Sequence, residues 1–566
     1  MNIKKLIQSL LLGLIFVILA MLWMRWEAEF SPPQAISTGS DTQGAGAANT
    51  PQNTSTVPQL ISSTQNNTPS STLTASSSTA AQNEANPPVF AAIPHIHIKT
   101  NVLTAEIDLQ GGNIVSSQLL HYKTSLKNKK PFTLFSRNPN TLYQAQSGLT
   151  GIPDSNQILY HVVPSSQPLV LILKGESQGL SIEKIYRFEP NSYHIQVQMQ
   201  VQNQGQAAWT GAFFGQLLRT PTKTTSSGFL GSYTAYEGAA ISTPNDHYNK
   251  QSFEDIISSP IQETADSGWV AMIQHYFVSA WIPSAHQTST FYTQSYANNQ
   301  YATGMLSSAQ TLAHGQSGVF SASLYMGPAI AKQLNQAAPN LSLTIDYGWL
   351  WFISDPIFSV MQWVFHFVGN WGLAIILVTL LIKLIFYPLS TKSYRSMAKM
   401  RKLQPRIAHL KERFGEDKQK LSQATMELYR SEKVNPLGGC LPMIIQIPVF
   451  IALYWVIMES VEFRQAPFIF WIHDLSVKDP FYILPVLMGL SMFIQQKLNP
   501  APPDPMQAKI MMFLPLVFTI LFSQFPSGLV LYWLFNNCFS ILQQWWIMRR
   551  VSKEPEHPAH HHKSVS

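Results

Sequence analysis

"TLLIKLIFYPL", residues 379 to 389, sets a single lysine, Lys383, inside a run of Leu, Ile, Thr and Phe. A charge in such surroundings costs several kcal/mol unless water or a partner meets it. The composition of the chain says which solvent surrounds it. Of 566 residues, 45% are apolar and only 12% are charged, well under the quarter or so typical of soluble domains, so membrane residence is the first expectation. The formal charge of +7 does not read as a nucleic-acid surface. Lys and Arg cluster between and beside apolar runs, as at the cytoplasmic face of a membrane. Cys440 and Cys538, the two cysteines, lie in apolar segments without a near partner, so neither a disulfide framework nor a zinc site is expected.

Outward from this stretch the chain divides into parts. Residues 1–24 are the N-terminal cytoplasmic end and a transmembrane anchor, "LIQSLLLGLIFVILAMLWM" behind Lys4 and Lys5. An anchor is favoured over a signal peptide because Trp23 to Glu29 are bulky or charged, unlike a cleavage site. Residues 25–88 are a flexible linker on the outer side, rich in Ser, Thr, Gln and Asn and too polar to bury a core. Its Asn53-Thr54-Ser55 triplet is a chance glycosylation match in such sequence.

Residues 89–340 read as an all-β sandwich domain. Leu103, Ala105, Ile107 and Leu109 alternate with polar residues, as do Tyr193, Ile195, Val197, Met199 and Val201, and again Phe320, Ala322, Leu324 and Met326. "GESQG", Gly175 to Gly179, matches the nucleophile elbow of serine hydrolases. Strand-like "LVLILK" and "LSIEKIYRF" flank it, however, so Ser177 belongs to a hairpin tip and not to a strand-turn-helix elbow.

Beyond Leu341 aromatic and helical patterns take over. Residues 341–370 read as an interfacial amphipathic helix, broken by Pro356 and Gly369. Residues 371–548 carry spanning candidates at 371–389, 440–458, 481–494, 510–524 and 528–548, which with the anchor make six. The segment 390–437 between the first two is rich in Lys and Arg, whereas the loop 459–480 holds only Arg464 and Lys478. The positive-inside rule thus places both termini in the cytoplasm and the β-domain outside. The pair at 481–494 and 510–524 is short, and either both span or both re-enter.

Lys383 has polar company. Thr379, Lys383 and Tyr387 recur every four residues, Gln446 lies in the next span, and Tyr532, Asn536, Ser540 and Gln544 repeat the spacing in the last. Two readings stand. The lysine snorkels while the amides join helices by hydrogen bonds, or the stripes line a wet cavity in which an acid-free cation meets water or an arriving anion.

"NWGLAIILVTLLIKLIFYPL", "KVNPLGGCLPMIIQIPVFIALY", "RQAPFIFWIHDLSVKDPFYILP" and "FPSGLVLYW" resemble the YidC membrane protein insertases of bacterial inner membranes, in their long Gram-negative form with a periplasmic β-domain. The resemblance covers about 348 to 548. It implies a five-helix core around a hydrophilic groove closed to the outside and open to cytoplasm and lipid. It also implies insertion and folding of newly made membrane proteins, alone or with the Sec translocon. The position of Lys383 commonly carries arginine in the family, and lysine here weakens only roles that need a bidentate guanidinium. Thr379, Gln446, Tyr532 and Trp533 fall at groove or substrate-contact positions, with Tyr387, Asn536 and Ser540 completing the expected set.

No bond is made or broken in such a process, so no catalytic residue and no cofactor are expected. The segment 390–437 reads as two helices turning at Gly415-Glu416-Asp417, with one apolar stripe from Met400, Leu403, Ile407, Leu410 and Phe414 and another from Leu421 and Leu428. Membrane lipids are one partner for its basic surface. The resemblance adds the ribosome, targeting factors and the translocon as partners of this hairpin and of the basic tail 549–566. His557, His560, His561 and His562 in the tail read as incidental and not as metal ligands. The rival function is a secondary transporter with Lys383 as substrate or proton site, although no internal repeat or acidic relay supports it. A scaffold that merely presents the β-domain is a third reading.

Overall fold

The structure, a computed structural model, describes residue 58 and residues 94–222, 235–414, 417–432, 434, 441–499 and 505–552. The anchor, the rest of the linker, Gly415, Glu416, Cys440 and the tail beyond 552 with its histidines lie outside the described residues.

Period-two patterning becomes two antiparallel nine-stranded sheets. In one, the strands run from His95–Lys99 through Leu103–Asp108, Ile114–Lys123, Tyr143–Leu149, Phe213–Arg219, Gln300–Ser307 and Ser289–Tyr296 to Gln262–Ala265, with Pro131–Phe135 paired beside Ile114–Lys123. The other runs from Asn249–Gln251 through Glu237–Ser242, Trp269–Gln274, Phe277–Pro283, Ser317–Pro328, His194–Asn203, Leu180–Phe188 and Val170–Ser177 to His161–Val163. Leu103, Ala105 and Ile107 are buried, as are Ile195, Val197, Met199 and Val201, so one face of each strand feeds the core. Aromatic contacts such as Phe213 against Trp281, 6.0 Å between ring centres, tie the sheets together. Ser177 pairs with Leu180 across a two-residue turn in which Gln178 and Gly179 both have positive φ. That is a hairpin tip with no following helix.

An inward lysine, Lys184, is fully buried in Leu180–Phe188. Gly111 and Gly112, both at positive φ, make the tight turn between Leu103–Asp108 and Ile114–Lys123. This turn aims carbonyls inward: Lys184 Nζ donates to Gly111 O at 3.1 Å and Ser147 O at 2.7 Å, and the Tyr186 hydroxyl donates to Gly112 O at 2.6 Å. Burial lowers the Lys184 pKa to about 7.

Eleven α-helices are described: α1 (Phe253–Ser258), α2 (Ala331–Ala337), α3 (Trp351–Val368), α4 (Trp371–Ile385), α5 (Tyr387–Lys402), α6 (Gln404–Phe414), α7 (Lys418–Ser431), α8 (Leu441–Glu459), α9 (Ile483–Leu498), α10 (Pro505–Phe522) and α11 (Ser527–Ser552). Three expectations change. Pro356 does not break α3, because so near the helix start it forfeits only the bond to the Phe352 carbonyl. Gly369 does end it, at φ 62°, with its N–H on Phe365 O.

The stretch 371–389 is not one helix. α4 stops at Ile385, and α5 leaves at 69° to it. Pro388 has no N–H for the Leu384 carbonyl and instead occupies the first turn of α5, where none is needed. The segment after it is three helices and not two, because Pro405 forces a further break at Leu403. Met400, Leu403, Ile407 and Val434 still form one apolar cluster, with Leu428 packed on it. Asp417 caps α7, its carboxylate accepting from the N–H groups of Gln419 and Lys420.

Among the described residues no single helix is long and apolar enough to cross a membrane, whereas α4 and α5 taken together, bent at 69°, are. The β-domain and the segment after it dock on the end of α8 and the loop that follows. Arg464 donates to Lys123 O at 2.7 Å while its guanidinium lies over Phe132 and Phe277, His275 Nε2 lies 2.9 Å from Met458 O, and the Tyr347 and Ser460 hydroxyls are 3.0 Å apart.

Candidate groove site

Lys383 lies in the last turn of α4, which Asn370 starts by accepting from Leu373 N–H. It is 6% exposed. Its ammonium donates to Ser540 Oγ of α11 at 2.7 Å, and that hydroxyl donates to Asn536 O at 2.7 Å. The serine thereby passes the lysine's field on to a backbone carbonyl that already serves the helix. Among the described residues Lys383 makes no ion pair, and its ammonium rests on a neutral hydroxyl. A buried ammonium so lightly compensated is costly, and water or an anion would stabilise it further.

The remaining expected residues divide between two neighbourhoods. Asn536 is buried one turn from Ser540 on the same helix, and its carbonyl accepts from the Ser540 hydroxyl that meets Lys383. Thr379 is 1% exposed, and its hydroxyl donates to Ile375 O within α4. Tyr387 begins α5 beyond the break, which interrupts the four-residue repeat, and its ring lies 6.3 Å from that of Trp546. Tyr532 and Trp533 sit two turns further out on α11 in an aromatic group, Phe450 lying 6.3 Å and 4.7 Å from them and Phe522 5.1 Å from Trp533. Gln446 is half-buried on α8, and among the described residues no hydrogen bond joins it to Lys383.

Two further polar ties join α11 to α9 and to the residue that follows it. Asn537 Nδ2 donates to Ser491 Oγ of α9 at 3.0 Å, and Gln544 Nε2 donates to Asn499 Oδ1 at 3.1 Å. The sequence reading passed over Ser491 and Asn537. The Asn536-Asn537 dipeptide held the signal, because neighbours on a helix point about 100° apart and so address two different helices. Part of the polar material therefore does join helices by hydrogen bonds, as the first reading had it, and α11 is the hub. In this structure Lys383, Ser540 and Asn536 form a closed seam between α4 and α11.

Two family models match consecutive parts of the chain: the YidC periplasmic domain over residues 95–360 and the 60Kd inner membrane protein over 363–554. Among curated relatives, a membrane protein insertase YidC of Legionella pneumophila (strain Lens) is 50% identical over 475 residues, covering 81% of this chain and 85% of its own. One from Legionella pneumophila (strain Paris) is 45% identical over 570 residues, covering 98% of each, and one from Hahella chejuensis is 43% identical over 566 residues. A solved structure of an active YidC insertase with its first transmembrane domain resolved is 18% identical, at a TM-score of 0.37, and covers 80% of this chain and 92% of its own. With the β-sandwich and the helical region in the order of the two family models, and near half identity to relatives along most of their length, the chain belongs to the YidC family of membrane protein insertases.

Proposed function

We propose that this protein inserts newly made proteins into the bacterial inner membrane and assists their folding there, without a chemical active site. The observation that carries the mechanism is Lys383: a cation inside the helical region with no carboxylate partner among the described residues, held by one serine hydroxyl. A polar outer segment of a client must cross hydrocarbon, and a wet half-channel with a cation both shortens the apolar path and attracts acidic residues. The seam between α4 and α11 is the resting form. Opening it exposes Lys383, Thr379, Asn536 and Ser540 to the cytoplasm, while Gln446, Tyr532 and Trp533 form the client-facing wall farther out.

The topology proposed is six spans: the anchor within 1–24, then α4, α8, α9, α10 and α11, with both termini cytoplasmic and the β-domain periplasmic. α3 lies in the outer interface, where Trp351, Phe352, Trp363 and Phe367 are exposed. At 1.5 Å per residue the 15 residues of α4 reach only about 22 Å, against roughly 30 Å of hydrocarbon, so the bilayer thins around the core. Such thinning itself lowers the barrier to transfer. The helices α5, α6 and α7 and the basic tail are the proposed contacts for the ribosome, targeting factors and the Sec translocon.

Photocrosslinkers placed at Thr379, Gln446, Tyr532 and Trp533 test this reading. Stalled nascent membrane proteins should crosslink from all four positions, and a non-membrane nascent chain from none. Crosslinks absent from all four, or solute flux through reconstituted protein without client insertion, would replace the insertase groove with the transporter reading.

A further inference from the structure

Gln543 stands on α11 three residues past Ser540. It follows Tyr532 by eleven residues and Asn536 by seven, close to three and to two whole turns, so the three share one face of the helix. Ile547, one turn on, clusters with Tyr394 and Ala398, which sets this end of the face against α5. The neighbouring Gln544 points about 100° away. It is committed to the end of α9, its Nε2 donating to Leu498 O at 3.3 Å and to Asn499 Oδ1 at 3.1 Å.

Gln543 has no such commitment. Both polar atoms of its side chain, Nε2 and Oε1, are buried, and neither meets a hydrogen-bond partner among the described residues. Other polar side chains of this stretch each meet a partner beyond the helix: Ser540 meets Lys383, Asn537 meets Ser491, and Gln544 meets Asn499. Joining helices accounts for those three and not for Gln543. A buried amide left unpaired destabilises the packed form, and a methionine would fill much the same space without that cost. Unsatisfied polar groups of this kind mark functional positions.

We propose that Gln543 is a further client-contact residue of the groove and that it recognises the main chain of an extended polypeptide segment, Nε2 donating to a peptide carbonyl and Oε1 accepting from a peptide N–H. The inference deepens the insertion reading and rests on it, including the topology that puts Gln543 about 16 Å nearer the cytoplasm than Tyr532. A primary amide is complementary to a peptide group, with donor and acceptor side by side. A helical segment has already paired its own main-chain groups, whereas an extended one carries them bare into hydrocarbon, where each is costly. The amide therefore stabilises a client that passes extended more than one that passes as a helix. Lys383 responds to the client's side-chain charge, and Gln543, being neutral, to its backbone whatever the sequence.

Disulfide crosslinking to stalled client chains tests this, in the full-length protein lacking Cys440 and Cys538. A lone cysteine is moved residue by residue through the client's outer segment, and its yield with Gln543→Cys is read at each position. The expected yields alternate with a period of two, as an extended chain requires. A helical period of three to four overturns the proposal, as does the absence of crosslinks from Gln543→Cys while Tyr532→Cys gives them. Crosslinks from neither position overturn the groove reading as well, so the two failures are told apart. In proteoliposomes Gln543→Met, which removes donor and acceptor at similar length, should lower insertion of a client with a long polar outer segment by about fivefold or more relative to one with a short segment, and Gln543→Asn should restore it. Equal effects on both clients overturn the proposal. The thermal midpoint of the solubilised Gln543→Met protein should hold or rise; a fall, or failure to fold, would make Gln543 a helix tie and overturn the contact role.

Discussion

Replacing Ser540 by alanine removes the one hydroxyl on which the Lys383 ammonium rests, at 2.7 Å, and leaves both helices otherwise intact. Hydrogen bonds to charged groups contribute about 1.5–3 kcal/mol net. In the closed seam the lysine of the variant loses this bond, whereas in an open seam water replaces it. The whole loss therefore falls on the closed form, and at 1.4 kcal/mol per decade the open population rises roughly 10- to 100-fold.

The assay is the rate at which a membrane-impermeant maleimide labels Thr379→Cys, in a variant lacking Cys440 and Cys538, added to inverted vesicles. Thr379 is 1% exposed in the closed form, so its labelling reports opening. Ser540→Ala should speed the reaction by that factor from the cytoplasmic side only. A rate within twofold of the parent, in folded protein, would refute the claim that this bond closes the seam. Acceleration equal from both sides would mean a pore.

Further expectations follow from the β-domain. Burial depresses the Lys184 pKa from 10.5 to about 7, so between these values the unfolded chain binds the extra proton. Stability of the β-domain should therefore rise with pH across 7 to 10.5 and not below; thermal unfolding of wild type and Lys184→Met should differ in slope in that window, the variant being flatter. Arg464→Ala should weaken docking of the β-domain by about 1.5–3 kcal/mol, since a charge-assisted bond to Lys123 O is lost, seen as faster amide exchange in Ile114–Lys123. Ser177 at its hairpin tip should not react with fluorophosphonate probes, and Ser177→Ala should leave growth unchanged.

Much of this was legible in the sequence because it is periodic. Alternation marked Leu103–Asp108 and His194–Asn203 directly, and flanking strands exposed the Ser177 motif as a turn. The same period puts Ile182, Lys184 and Tyr186 on one inward face. The carbonyls that receive Lys184, those of Gly111 and Ser147, are remote in sequence, so nothing local announced them. Prolines misled in both directions. Pro356 reads as a breaker but sits where one lost bond is tolerable, while Pro388, inside the candidate span 371–389, lies in the first turn of a new helix at 69°. At the site, spacing put Lys383 on a polar stripe of its own helix and Asn536 and Ser540 on a polar stripe of the last. Only the packing of α4 on α11 shows that Ser540 is the residue holding the lysine, and that Tyr532 and Trp533 belong to an aromatic group apart from it.

The central claim is that the charge of Lys383 acts on clients. Its most direct test is insertion into proteoliposomes of paired clients that differ only in acidic residues of the outer segment, with wild type, Lys383→Arg and Lys383→Glu. The account predicts that the arginine variant inserts both clients like wild type, and that the glutamate variant loses the acidic client at least tenfold more than the neutral one, since attraction becomes repulsion in a poorly solvated seam. Equal insertion of the acidic client by wild type and Lys383→Glu would contradict it.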